Sequence, residues 1–186
     1  MSWIEIISEH DAGGELGEVY SRLADERGKV SDIMRSQSLK PEAMAAHLDL
    51  YLAVMFDDSG LTREERELMA VTVSVVNNCP YCITHHVEAL RTYWRDDRRV
   101  DAFVENPVLF DALEERQRAL VDYALQVTKK PSSTAEATID GLREMGLNDE
   151  EILCANLVIS YFNFVNRIAL GLGVDASDGD VEGYEY

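Results

Sequence analysis

Residues 60 to 78, GLTREERELMAVTVSVVNN, constrain the fold more than any other part of the sequence. Thr62 followed by Glu65 has the pattern of a capping box, in which each side chain accepts the other residue's backbone N–H. The second half, VTVSVV, is β-branched and alone is typical of a strand, but the cap and the acidic first turn favour a helix. Because this helix is apolar on nearly every side, we expect it at the centre of the molecule.

The other periodic segments also place their apolar residues at helical rather than strand spacing. A second capping-box pattern, Asn148 with Glu151, opens the last of them. Helices are predicted over residues 14–27, 41–56, 63–77, 79–94, 107–130, 133–146 and 147–173. The predicted fold class is therefore all-α, as an oligomeric helical bundle.

We expect one domain over residues 1–175. It divides into an N-terminal arm to about residue 40, a core at about 41–95 that carries two cysteines, and C-terminal helices at about 107–173. Residues 176–186 are rich in acids and poor in core-forming side chains, so we expect an acidic tail there.

The charge of the chain limits its partners. The sequence has 35 Asp and Glu against 17 Lys and Arg, a net charge of −18. Such a surface repels phosphate backbones and anionic lipids, so we expect neither nucleic acid nor membrane as a partner. The chain shows no apolar run of about 18 residues and no secretory signal pattern, which makes a cytoplasmic location the expectation.

The stretch CPYCITHH carries the candidate chemistry. Cys79 and Cys82 lie at a predicted helix start, where the unpaired N–H groups and the helix dipole favour thiolate over thiol. His86 follows Cys82 by four residues, one turn along the same face, and is the candidate base; His85 is its neighbouring alternative. We therefore expect Cys82 to have the lower pKa and to be the more reactive thiol.

Other interpretations of the cysteines stay open. One CxxC supplies half of a tetrahedral zinc site, but the remaining histidines, His10 and His47, lack the spacing of a second ligand pair. The two cysteines are also compatible with simple core packing, which is the interpretation given to Cys154 in its apolar segment. Three cysteines are too few for a disulfide scaffold, and a cytoplasmic thiol pair is more typically catalytic or metal-binding.

Glu67 lies twelve residues before Cys79 on the preceding predicted helix. If the two helices form a hairpin around the Asn-Asn turn, Glu67 folds back toward the second helix. Spacing alone favours the simpler interpretation that Glu67, like Glu64 and Glu65, is an acid near a helix start, where the dipole favours negative charge.

Glu67, Cys79, Cys82 and His86 together fit the pattern E-x₁₁-C-x-x-C-x₃-H. This array resembles the alkylhydroperoxidase AhpD-like branch of the carboxymuconolactone decarboxylase superfamily. The wider ERELMAVTVSVVNNCPYCITHH and the later YFNFVNRIALGLGV are similar to a subgroup called peroxidase-related enzymes. The resemblance covers about residues 1–175. It implies a helical subunit, assembly into trimers or hexamers, and a peroxide-reducing dithiol that needs no cofactor and no metal.

The resemblance also implies a mechanism. Cys82 attacks a hydroperoxide and becomes a sulfenic acid, and Cys79 condenses with it to a disulfide. His86 and Glu67 serve as the proton relay. A dithiol, a thioredoxin-type or a lipoyl-type reductant then reopens the disulfide by thiol exchange.

One position departs from the family pattern. Tyr81 stands between the cysteines, where the best-known members have a relay histidine, and a phenol that titrates near 10 is a poor proton shuttle at neutral pH. Either His85 or water takes that place, or the chain is a weak peroxidase with another task. A non-catalytic oligomer whose dithiol senses redox state or exchanges disulfides is the alternative function.

Two further groups of residues are candidates for supporting roles. Asn163, Asn166 and Arg167 lie on an otherwise apolar helix and are expected to cap or to bridge subunits, because polar groups there need partners. The expected pocket wall consists of Tyr51, Tyr161 and Phe162.

Overall fold

The computed structural model describes residues 2–176 and 181, and all regular structure in this part of the chain is helical. The α-helices are α1 (Gly14–Arg27), α2 (Asp32–Arg35), α3 (Pro41–Met55), α4 (Arg63–Val76), α5 (Pro80–Trp94), α6 (Asp97–Glu105), α7 (Glu115–Lys129), α8 (Glu136–Glu144) and α9 (Asp149–Leu172), with a 3₁₀ turn at Pro131–Ser133. The all-α prediction is confirmed. The expected acidic tail lies outside the described residues apart from 176 and 181, and the division into domain and tail stays a prediction.

Three parts of the helix prediction were wrong. Helix α7 begins at Glu115 rather than near residue 107, because Glu114 and Gln117 form the N-terminal capping box. Helix α6 was missed, since five of its nine residues are charged and only Val100 and Phe103 are buried. Helix α2 has four residues, which is too short for a helical period to be recognised.

Helix α4 is the centre of the bundle, as predicted. Thr62 and Glu65 form the expected capping box, and every residue from 65 to 74 is buried. The helix packs against α5, α7 and α9. It also lies between two apolar clusters, with Met69 in the larger one and Leu68 in the smaller one. The β-branched second half of α4 is thus a buried helix surface and not a strand.

The turn between α4 and α5 is held by amides of α9. Asn78 has a φ of 54°, in the left-handed region, and reverses the chain. The Asn77 Nδ2 donates hydrogen bonds to Oδ1 of both Asn163 and Asn166, each at 3.0 Å. Arg167 Nη1 donates to Asn163 Oδ1 at 2.9 Å. In this structure the predicted polar group therefore fixes a turn within the chain.

Glu64 and Glu65 lie in the first turn of α4, as predicted, but both carboxylates also bind side chains of other helices. The carboxylate of Glu64 accepts hydrogen bonds from Trp94 Nε1 at 2.7 Å and Gln117 Nε2 at 2.9 Å. Glu65 is buried and accepts from Arg116 Nε at 2.7 Å in addition to its capping contact. These carboxylates join α4 to α5 and α7.

Helix α9 forms the other long element of the core. Asn148 and Glu151 cap its start as predicted, and Gly173, with a φ of 64°, ends it. By length and composition alone α9 is apolar enough to cross a membrane, although no such run was recognised in the sequence. Of its most apolar stretch, 56% is buried inside the protein, which is typical of a core helix.

His47 of α3 is a buried polar group that is fully engaged within the bundle. Its Nε2 lies 2.8 Å from the Tyr161 hydroxyl, and its Nδ1 lies 2.8 Å from Gln37 Nε2. Burial lowers the pKa of His47 to about 4. The ring is therefore neutral at physiological pH and contributes to stability only in that form.

We expect the contribution of His47 to the free energy of unfolding to decrease by about 1 kcal/mol when the pH falls from about 7.5 to about 5.5. The unfolded chain takes up a proton near pH 6.5, whereas the buried ring stays neutral to about pH 4. The contribution is complete above pH 6.5 and is lost progressively as the pH falls toward 4. Urea unfolding at both pH values measures it.

In His47→Gln this part of the pH dependence should disappear. His10 is exposed, so His10→Gln is the matched control and should keep the wild-type dependence. The same pH dependence in all three proteins would contradict the assignment to His47.

Candidate functional site

The two cysteines meet at the N-terminus of α5. Cys79 is the N-cap residue and Cys82 lies within the first turn, so the two Sγ atoms are 2.9 Å apart. Both side chains are buried as free thiols. A disulfide needs an S–S distance of about 2.05 Å, so a shift of about 1 Å is enough to form one.

The ionisation of the pair differs from the sequence-based expectation. The pKa of Cys79 is lowered, first by the hydrogen bond between its sulfur and that of Cys82 and also by the backbone N–H of Cys82, while burial opposes this. The pKa of Cys82 is raised by its bond to Cys79 and by burial, although the Asn166 amide opposes this. The prediction that Cys82 has the lower pKa was therefore wrong for the resting pair. The main physical reason is the hydrogen bond between the two sulfurs, which lowers the pKa of Cys79 and raises that of Cys82.

A cavity in the bundle gives access to the sulfur of Cys82 but not to that of Cys79. Cys82, and not Cys79, lines a cavity of about 90 Å³ that is bounded by α1, α3, α4, α5 and α9. Tyr51, Tyr161 and Phe162 form part of its wall, as the sequence predicted. A small molecule in this cavity meets Cys82 first.

Glu67 is brought to the same cavity by the α4–α5 hairpin. Its side chain is fully buried, and its Oε2 lies 2.7 Å from His86 Nδ1. Its Oε1 accepts a hydrogen bond from Arg63 Nε at 2.9 Å. Burial alone raises the pKa of Glu67, but His86 and Arg63 outweigh it and lower the pKa below the usual value. The interpretation of Glu67 as a simple acid near a helix start was wrong.

The ionised Glu67 sets the orientation of His86. A carboxylate only accepts hydrogen bonds, so Glu67 selects the tautomer of the neutral His86 ring with the proton on Nδ1 and the lone pair on Nε2. The His86 ring packs edge-on against Phe162, with 4.4 Å between the ring centroids. His86 lines the cavity and has the tautomer that a general base requires.

Arg63 is a site residue that sequence reasoning missed. Besides Glu67, it binds the Met55 carbonyl oxygen through Nη1 at 3.0 Å. Its guanidinium also lies 4.1 Å from the centre of the Phe56 ring. The available signal was the i, i+4 spacing of Arg63 and Glu67, which places both side chains on one helix face.

Tyr81 and His85 take positions beside the relay. The Tyr81 hydroxyl accepts the backbone N–H of Ile33 at 3.2 Å, which ties α5 to α2. His85 Nδ1 lies 2.8 Å from the Tyr81 carbonyl oxygen, and the two rings are in contact at an angle of 36°, with centroids 4.2 Å apart. Both side chains line the cavity, but it is His86 that contacts Glu67.

The other candidate ligands and thiols lie apart from this site. In residues 2–176 and 181, no three His, Cys, Asp or Glu side chains converge as in a metal site. The Cys154 Sγ lies 3.3 Å from Asp57 Oδ2, and burial raises the pKa of this thiol. Cys154 packs within the bundle, as interpreted from its apolar segment.

Comparison with known sequences identifies one matching family and a bacterial relative. The model of the carboxymuconolactone decarboxylase family matches residues 41–104, which include Glu67, both site cysteines and His86. The chain is 25% identical to the uncharacterized protein YdfG of Bacillus subtilis (strain 168) over 136 residues, or 73% of this chain and 90% of the relative.

Solved structures share the fold over nearly the whole chain. An alkylhydroperoxidase AhpD core protein from Ralstonia eutropha JMP134, an uncharacterized peroxidase-related protein, has a TM-score of 0.86 and 28% identity, covering 97% of this chain and 94% of its own. An uncharacterized peroxidase-related protein from Silicibacter sp. TM1040 has a TM-score of 0.87 and 26% identity, with the same coverage. The debrominase Bmp8 in complex with 2,3,4-tribromopyrrole shares the fold at 18% identity, with a TM-score of 0.76 over 94% of this chain and 91% of its own.

We expect iodoacetamide to modify Cys82 before Cys79, because Cys82 lines the cavity. The rate of modification should rise with pH. Its apparent pKa belongs to the pair and should lie below the value of about 8.5 for a free thiol, since one thiol stabilises the other as thiolate. Peptide mass spectrometry against time and pH measures both properties.

The Cys154→Ser variant removes a thiol outside the pair and should keep the wild-type profile. Faster modification of Cys79, or an apparent pKa at or above that of a free thiol, would contradict this description of the pair.

Proposed function

Because the chain is an AhpD-like member of the carboxymuconolactone decarboxylase superfamily, we propose that it is a thiol-dependent hydroperoxide reductase. The observation that carries the proposal is the convergence of a close dithiol and a charged relay at one cavity. The sulfurs of Cys79 and Cys82 are 2.9 Å apart, and the Glu67–His86 pair lines the space that Cys82 faces.

In the proposed reaction, the proton of Cys82 passes to His86 Nε2, and Cys82 becomes the attacking thiolate. Its sulfur bonds to the terminal oxygen of the hydroperoxide, the O–O bond breaks, and the departing alkoxide takes a proton from His86. Cys79 then attacks the sulfenic acid, and a disulfide and water form. The sum is one hydroperoxide reduced to an alcohol and water for two thiols oxidised.

In this proposal, Glu67 and His86 supply the base that a buried thiol pair lacks. Burial raises the pKa of Cys82, so its activation needs a nearby base. Glu67 keeps the proton of His86 on Nδ1 and stabilises the imidazolium that forms when Nε2 takes up a proton. Arg63 holds the carboxylate from its other oxygen. We propose Arg63 as a positioning residue for the relay.

The oxidised pair needs electrons from outside the chain. We propose a dithiol, thioredoxin-type or lipoyl-type reductant that opens the disulfide by thiol exchange, without a cofactor or metal in this subunit. A cytoplasmic location, where such reductants act, stays a prediction.

The alternative is a redox sensor or disulfide-exchange oligomer. The near-complete burial of both sulfurs favours this candidate, because access to the pair is restricted. The two functions differ in turnover, since a sensor consumes one peroxide per dithiol while an enzyme consumes many. The debrominase neighbour supports the fold alone and adds no third candidate.

We expect Glu67→Gln to lower kcat for cumene hydroperoxide about 100-fold, with dithiothreitol as reductant. Arg63 only donates hydrogen bonds, so the carbonyl oxygen of the new amide has to face Arg63 and its NH₂ group has to face His86. His86 Nδ1 then becomes the acceptor, the proton moves to Nε2, and the base is lost. Steady-state peroxide consumption measures kcat, and circular dichroism shows whether the variant is folded.

Glu88→Gln is the matched control, because Glu88 is half-exposed on α5 and its contact with Arg91 is 4.0 Å long. It should turn over like wild type, and Cys82→Ser should be inactive. Glu64→Gln and Glu65→Gln are unsuitable controls, since both acids are engaged in the fold. Consumption of a single peroxide per wild-type chain would favour the sensor over the enzyme.

We also propose that the chain assembles into trimers or hexamers. Helix α9 turns Leu153, Leu157 and Phe164 outward on one face, with 58%, 41% and 47% of each residue exposed. Exposed apolar patches of this kind are typical of contact surfaces between chains.

Light scattering at low and high salt should give a mass of at least three times the 20.9 kDa of one chain. Leu157→Glu should weaken the assembly, because it places a charge in the apolar face. Leu39→Glu, at an exposed leucine outside α9, is the control and should assemble normally. A wild-type monomer at micromolar concentration would contradict the proposal.

A further inference from the structure

The hydroxyl of Tyr161 is a polar group of the cavity wall that the Glu67–His86 relay does not use. Tyr161 lies on α9, is buried, and lines the cavity together with Cys82. Apolar residues such as Leu48 supply much of the remaining lining. A buried hydroxyl costs free energy unless its hydrogen-bonding groups are satisfied, so the partners of this one determine what it can do.

Gln37 fixes the direction of the hydrogen bonds that lead to this hydroxyl. Its Nε2 donates to the Ile33 carbonyl oxygen at 2.9 Å and lies 2.8 Å from His47 Nδ1, while its Oε1 lies 3.1 Å from the same nitrogen. Two N–H groups cannot face each other at the shorter distance, so His47 Nδ1 carries no proton and accepts from the amide. Burial lowers the pKa of His47 to about 4, which keeps the ring neutral with its one proton on Nε2.

His47 therefore donates a hydrogen bond to Tyr161. Its Nε2 lies 2.8 Å from the hydroxyl oxygen, and because Nε2 carries the proton, that oxygen is the acceptor. A hydroxyl also has a proton of its own to donate. Within residues 2–176 and 181, His47 is the one hydrogen-bond partner of this group. The O–H of Tyr161 is thus available to an acceptor that enters the cavity.

The phenol is fixed close to the reacting sulfur. Its ring makes edge contacts with His47 and Phe162, with 5.4 and 5.2 Å between the ring centroids. Burial raises the pKa of Tyr161 well above its usual value, and the neighbouring Tyr51 and Cys82 raise it further. The hydroxyl therefore stays protonated at neutral pH and acts as a hydrogen-bond donor, not as a source of protons.

We propose that Tyr161 is a catalytic residue that donates a hydrogen bond to an oxygen of the bound molecule, with His47 and Gln37 as positioning residues. The choice of oxygen rests on the proposed reductase function. When the Cys82 sulfur bonds to the terminal oxygen and the O–O bond breaks, negative charge develops on the oxygen that stays bonded to carbon. Tyr161 donates to that oxygen and keeps its own proton, while His86 supplies the proton that converts the alkoxide to the alcohol.

The tautomer of His47 is the first test, and it needs neither turnover nor a variant of Tyr161 that folds. Long-range ¹H–¹⁵N spectra of the reduced wild type at neutral pH should show the His47 proton on Nε2, with the signals assigned by their loss in His47→Gln. In Gln37→Leu the amide donor is gone, and part of the ring should shift to the Nδ1–H form. A wild-type proton on Nδ1 would overturn the proposal, because Tyr161 would then donate to His47.

A matched pair of redox-inert ligands tests the hydrogen bond to the bound molecule. 2-Phenyl-2-propanol and tert-butylbenzene have nearly the same shape, with a hydroxyl in place of one methyl, and each should slow the alkylation of Cys82 by iodoacetamide. The alcohol should protect the wild type at a concentration about tenfold lower than Tyr161→Phe requires, as one hydrogen bond supplies. Protection by tert-butylbenzene should be the same in both proteins. Equal protection by the alcohol, or none in the wild type, would overturn the proposal.

Turnover separates the catalytic role from binding. With cumene hydroperoxide and dithiothreitol, Tyr161→Phe should lower kcat about tenfold or more. Tyr123→Phe is the matched control, since Tyr123 is buried on α7 outside the cavity and its hydroxyl accepts from Asn156 Nδ2 at 2.7 Å. This control should behave like the wild type in both assays. A wild-type kcat in Tyr161→Phe would overturn the catalytic role. If no protein consumes peroxide while the alcohol still distinguishes wild type from Tyr161→Phe, only the proposed reaction fails.

Discussion

A carboxylate that has no contact with solvent must be matched by positive charge and hydrogen-bond donors, and Glu67 is such a group. Arg63 satisfies one oxygen from within α4, and His86 satisfies the other from α5. The same contacts that make burial of the charge tolerable also fix the His86 ring and its tautomer. The geometry of the candidate site is therefore a direct consequence of this one buried charge.

The hairpin between α4 and α5 supplies the second requirement of the site. Asn78 reverses the chain and Asn77 is bound by two amides of α9, and α5 follows directly at Pro80 with Cys79 as its N-cap residue. The N-cap position then brings the two sulfurs together, and the hydrogen bond between them lowers the pKa of Cys79 and raises that of Cys82. Chain reversal and thiol ionisation are thus linked through the same few residues.

The excess of acids is distributed unevenly between interior and surface. Glu65 and Glu151 both bind Arg116, joining α4 and α9 to α7. Glu64 receives hydrogen bonds from Trp94 and Gln117. Some acids therefore act as ties between helices, while the cavity at Cys82 is lined by basic groups.

Local patterns in the sequence were sufficient for the features that depend on residues within about one helical turn. The capping boxes at Thr62 and Asn148 and the close approach of Cys79 to Cys82 are of this kind, because backbone geometry over three or four residues determines them. For the same reason the four-residue α2 and the highly charged α6, whose patterns are weak, were not recognised.

Packing between segments that are distant in the sequence determined the remaining features of the site. Glu64, Glu65 and Glu67 look alike as acids near a helix start, and only the angle of the α4–α5 hairpin selects Glu67 to meet His86. The sequence by itself determined the all-α class, the capped starts of α4 and α9 and the dithiol. The tertiary structure decided which acid is buried, which sulfur faces the cavity and that Arg27 reaches it from α1, since burial and charge pairing depend on groups that only folding brings together.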